Sequence, residues 1–106
     1  MISIDQFMEI ELRTATIVSA ERVPDTDRLL KLEVESGGET RTLVAGIAAS
    51  YEAEQLPGMK VIIVANLEPA TIRGVTSHGM VLAAATDSGP VLATFAQPVP
   101  DGARVR

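Results

Sequence analysis

Apolar and polar positions alternate with a period of two along much of this chain, as strands with one buried face require. The cleanest run is Arg28 to Glu35, which places Leu30, Leu32 and Val34 on one face and Lys31, Glu33 and Glu35 on the other. It predicts a half-buried strand. Before it, Glu11 to Val23 carries Thr14, Thr16, Ile17 and Val18 and predicts a strand that Pro24-Asp25-Thr26-Asp27 breaks as a turn. After it, Ser36-Gly37-Gly38-Glu39 predicts a hairpin turn, with Thr40 to Ile47 as the returning strand. Lys60 to Asn66 is nearly continuous in apolar residues and predicts a more deeply buried strand. Met80 to Thr86 and Val91 to Phe95 predict two further strands around a turn at Ser88-Gly89-Pro90.

Helical signals are short. Ser3 and Gln6 have capping-box spacing, with Ile2 and Phe7 at the staple positions, so a helix should end near Glu9. A second short helix is predicted over Ser50–Leu56, with Ser50 as N-cap, Glu52 and Glu54 in its first turn and Pro57-Gly58 as the stop. Asn66 to Gly79 reads as a loop, long for so small a domain and therefore a functional suspect. The tail, with Pro98, Pro100 and Gly102, predicts irregular surface chain. One all-β domain over residues 1–106 with short helices is expected: a five-stranded, partly open Greek-key barrel, the OB-fold, with an N-terminal helix and a C-terminal extension. Ligands of such barrels lie on strands two and three, between the first-to-second and fourth-to-fifth loops. Here those loops are Pro24–Asp27 and Leu67–Gly79.

With 46% hydrophobic and 22% charged residues, the chain has enough apolar surface to fold, which excludes disorder. No apolar run approaches the roughly 20 residues of a membrane span, and the first residues lack the basic-then-apolar order of a secretory signal. There is no cysteine, so disulfides and thiolate zinc sites are excluded and a cytoplasmic location is expected. Aromatics are only 3%, too few to stack successive bases of a single strand. The net charge of −5 means that any polyanion must be held by a local basic patch.

No catalytic constellation emerges. Ser77 and His78 are neighbours in an extended segment, so their side chains should point to opposite sides and cannot form a nucleophile–base pair. His78 is the only histidine, Asp25 and Asp27 sit in a Pro-led turn that favours backbone capping over a metal, and no Gly-rich phosphate loop is present. No metal and no cofactor is expected.

Several segments resemble one family in order and spacing. They are Leu12-Arg13, Asp27-Arg28-Leu29-Leu30, Arg41, Gly46-Ile47, Tyr51, Leu56-Pro57-Gly58, Val64-Ala65-Asn66-Leu67-Glu68-Pro69, Gly74 and Ser77-His78-Gly79-Met80. From about Phe7 to Ala85 the chain is similar to the tRNA-binding OB domain of methionyl-tRNA synthetase C-termini, of free-standing dimeric tRNA-binding proteins and of the endothelial-monocyte-activating polypeptide precursor. It departs from the family pattern at Thr14-Ala15 and at Ala70. The resemblance implies a non-catalytic homodimer that binds the folded outer shape of tRNA beside an aminoacyl-tRNA synthetase, methionyl-tRNA synthetase foremost. It maps RNA contacts onto Arg28, Arg41, Asn66, Ser77 and Met80. Phe7 and Phe95, on segments outside the barrel, are the expected anchors of the dimer interface. A peptide-binding secretion chaperone of the Csa type shares the fold and is the alternative.

Overall fold

A computed structural model describes residues 1–106. Helix α1 (Ile4–Met8) begins at the predicted capping box: the Ser3 hydroxyl accepts from the Gln6 amide at 3.1 Å, and the Gln6 side chain accepts from the Ser3 amide at 2.8 Å. Strands β1 (Leu12–Arg22), β2 (Leu30–Ser36), β3 (Glu39–Ala45), β4 (Lys60–Val64) and β7 (Met80–Val81) form one curled sheet in the order β3-β2-β1-β4-β7. β1 is the hinge of the curl. Leu12–Thr16 pairs with β4 and Thr16–Arg22 with β2, and a bulge between Ile17 and Ser19 shifts the β1–β2 register. The result is an OB-like half-barrel with one lone α-helix. Leu30, Leu32 and Val34 enter its core with Ile17, Leu43 and Ile63, as the alternation predicts.

Several expectations need correction. Over Ser50–Leu56 there is only a 3-10 turn, Ala53–Gln55, because the Gln55 side chain accepts from Glu52, not Ser50, and Pro57 stops the chain a turn later. The supposed loop after Asn66 folds into a hairpin, β5 (Ala70–Ile72) and β6 (Val75–Ser77). Met80 to Thr86 is two strands: β7 stays in the barrel, while β8 (Ala83–Thr86) leaves it to pair with β9 (Gly89–Leu92).

The tail is not irregular surface chain. Its strand β10 (Arg104–Val105) pairs with the start of β1. Thr14 acts as the splice: its hydroxyl donates to the Pro100 carbonyl at 2.6 Å and accepts from the Ala103 amide at 2.9 Å. Its own carbonyl accepts from the Gly102 amide and from the Ser36 hydroxyl. Asp101 takes hydrogen bonds from Lys60 and Thr16, both at 2.6 Å. Burial pushes the Asp101 carboxyl up, but those two bonds and the Lys60 charge outweigh it and leave the group below its ordinary value. Arg104 reaches the carbonyls of Met8 and Ile10, tying α1 to the tail.

Candidate nucleic-acid interface

The five expected contact residues fall into three places. Arg28 lies in the bend just before β2, not within the strand, and its side chain is exposed. It lines a cleft of about 410 Å³ with Asp25, Thr26, Asp27, Leu29 and Arg73. Arg73 was not anticipated. It comes from the tip of the β5–β6 hairpin, where Arg73 and Gly74 both take positive φ (52° and 80°) between the paired residues Ile72 and Val75. That is the geometry of a tight two-residue hairpin loop. The β-branched residues flanking Arg73-Gly74 were the available signal, hidden because arginine is not the residue such a turn prefers.

Arg41, Asn66 and Ser77 form the second group, and their polar atoms are turned onto the protein's own backbone. One Arg41 nitrogen, Nη1, donates to the carbonyls of Ala65 at 2.7 Å and His78 at 3.2 Å, and Nη2 pairs with Glu39 at 3.4 Å. Glu33, across the sheet on β2, accepts from the Thr42 hydroxyl at 2.7 Å. Asn66 does not make an Asx turn: it accepts from the Glu11 amide and donates to the Glu9 carbonyl, each at 2.8 Å, clamping the junction between α1 and β1. Ser77 is buried, its hydroxyl accepting from the Val44 amide and donating to the Gly79 carbonyl. With the His78 amide bonded to the Thr42 carbonyl, Ser77 closes the seam between β3 and the hairpin. Ser77 is thus internal, whereas Asn66 remains exposed and Arg41 lines a surface cleft with Glu39, Thr42 and His78.

Met80 is exposed, not core, and shares a groove of about 570 Å³ with Asn66, the apolar Ile2, Ile10, Val64 and Leu67, and the polar Gln6 and Glu9. Ser77 and His78 do face opposite ways, one buried and the other exposed. Tyr51 is internal, its hydroxyl accepting from the Leu92 amide, so no aromatic platform crosses the sheet. No helix is long and apolar enough to cross a membrane.

The fold is a small β half-barrel in which two loops each bring an arginine to one surface cleft. Residues 12–104 match the family model described as "Putative tRNA binding domain", and the chain belongs to that family. It is 50% identical over 107 residues to the methionine--tRNA ligase of Deinococcus radiodurans, covering 100% of this chain and 16% of that protein. The chain thus spans about a sixth of the curated relative it matches. The MetRS-related protein from Pyrococcus horikoshii superposes with a TM-score of 0.93 at 38% identity, over 100% of this chain and 98% of that one. The chaperone CsaA of Bacillus anthracis superposes with 0.90 at 26% identity, over 100% and 99%.

Proposed function

We propose that this tRNA-binding domain recognises the folded outer surface of tRNA and raises its local concentration for a methionyl-type aminoacyl-tRNA synthetase in the cytoplasm, as a subunit or in trans. The observation that carries the proposal is the pair of unpaired guanidiniums, Arg28 and Arg73, set on the two ligand-side loops of a barrel of this family. Phosphates of a folded RNA supply complementary charge, and the sheet lacks the aromatics that splayed bases require. Unlabelled folded tRNAs of different identity should displace a labelled tRNA about equally, while unstructured oligonucleotides of matched length displace it poorly. Equal competition by the unstructured strand would remove shape recognition from the proposal. The likeness to CsaA supports peptide binding as the second reading, at lower identity than the ligase match.

The domain acts as a homodimer in this proposal. Ile2, Ile4, Ile10, Leu67 and Met80 are each at least 40% exposed, an apolar area that a two-fold partner would cover. Phe7 and Phe95 are already half-buried within the chain, so they contribute the edge of such an interface. Light scattering at micromolar concentration should return twice the mass of one chain, and Ile4→Asp with Leu67→Asp should return a folded monomer. A monomer from the unaltered protein would refute the dimer.

A further inference from the structure

The cleft between the Pro24–Leu29 turn and the tip of the β5–β6 hairpin has an unusual charge composition. Of its six lining residues, Asp25, Asp27, Arg28 and Arg73 are charged, two of each sign, and none of them forms an ion pair. Elsewhere Arg13, Arg41, Arg104, Lys31 and Lys60 are engaged with carboxylates or carbonyls, while Arg22 and Arg106 share with Arg28 and Arg73 the lack of an ion pair, though neither lines this cleft. Nor are the aspartates needed to hold the turn, as a Pro-led turn would suggest. Thr26 holds it: its hydroxyl donates to the Val23 carbonyl and accepts from the Leu29 amide, both at 3.2 Å.

The backbone adds a second oddity. Asp25 at φ 64° and Arg73 at φ 52° are the only non-glycine residues of the chain in the left-handed region, and both line this cleft. Aspartate tolerates that region in turns, whereas an arginine there costs about 1–2 kcal/mol that glycine would avoid. At Arg73 a charged side chain therefore stands where its absence would favour folding.

Guanidiniums suit a phosphate, which they grip with paired hydrogen bonds. Ionised carboxylates are acceptors only, and beside a phosphate they repel it unless a donor lies next to it. In RNA that donor is the ribose 2′-hydroxyl, which DNA lacks. We infer that the cleft is a ribose-phosphate subsite: Arg28 and Arg73 hold one backbone phosphate, and the Asp25–Asp27 carboxylates accept the hydrogen bond of the adjoining 2′-hydroxyl. The inference rests on the tRNA-binding proposal and adds to it the means by which RNA is told from DNA.

The test compares a folded tRNA transcript with the all-deoxy strand of the same sequence, against the full chain and three variants. Arg28→Ala and Arg73→Gly should each weaken both ligands about tenfold, leaving their ratio unchanged. The double variant Asp25→Gly/Asp27→Ala, in which glycine suits the positive φ, should bind DNA more tightly and contract the RNA-to-DNA ratio about fivefold. Thermal melts establish that each variant is folded. If the aspartates merely repel phosphate, both affinities rise by one factor and the ratio holds, which overturns the 2′-hydroxyl assignment while tRNA binding stands. Wild-type affinity in both arginine variants would remove the phosphate from this cleft. Failure of the unaltered protein to bind tRNA at all would instead sink the functional proposal and the subsite with it.

Discussion

Gly102→Val should destabilise the protein by about 3 kcal/mol, read as a shift in the urea midpoint without a change in slope. Gly102 sits at φ 80°, and a Cβ placed on it would lie 2.6 Å from the Gly37 Cα and 2.8 Å from the Gly37 nitrogen. Those are backbone atoms of the β2–β3 turn and cannot step aside as a flexible side chain would. The tail has to retreat, and it is laced in on both sides: the Gly102 amide bonds to the Thr14 carbonyl, and the Gly102 carbonyl accepts from Arg13. Retreat would also pull Asp101 from Lys60 and Thr16. Gly38→Ala is the control. Gly38 has a similar φ of 86° but nothing within 4 Å of the added Cβ, so only the conformational penalty of about 1–2 kcal/mol remains. Equal losses in the two variants would mean that the tail does not lock the barrel.

Arg41→Glu should cost roughly 3 kcal/mol of stability and abolish tRNA binding as a consequence. The Arg41 side chain is 22% exposed and is spent on the Ala65 and His78 carbonyls and on Glu39. A glutamate there sets a carboxylate against two carbonyl oxygens and a like charge, and it releases the end of β4 from the hairpin that carries Arg73. Arg28→Glu makes the contrast: exposed and without an ion pair, it should change stability by no more than about 0.5 kcal/mol. Paired urea curves decide the matter. A fully stable Arg41→Glu protein would return Arg41 to the contact surface.

The barrel was legible because alternation at Leu30, Leu32 and Val34 reports burial directly, and because the Ser3–Gln6 capping box is a local signal. The tail was not, since its order comes from the Thr14 hydroxyl and carbonyl meeting residues over 80 positions away, which no periodicity records. The hairpin was missed because its strands are three residues each and its turn begins on an arginine. For the candidate site, residue type and family spacing single out segments but not the direction of their side chains. A serine hydroxyl or an asparagine amide is the same letter whether it meets a ligand or, as Ser77 and Asn66 do, a distant backbone group. The sequence singles out Arg28, as part of a strand, and not Arg73, though both are cations on loops that meet at one cleft.

The central claim is that a local pair of arginines lets a chain of net charge −5 hold the tRNA backbone. It is tested most directly by measuring the affinity for total tRNA across a salt series. With Arg28 and Arg73 on phosphate, the logarithm of the association constant should fall with the logarithm of salt at a slope of about −1 or steeper, and Arg28→Ala/Arg73→Gly should flatten it. An affinity indifferent to salt, and equally indifferent to loss of both arginines, would contradict the account.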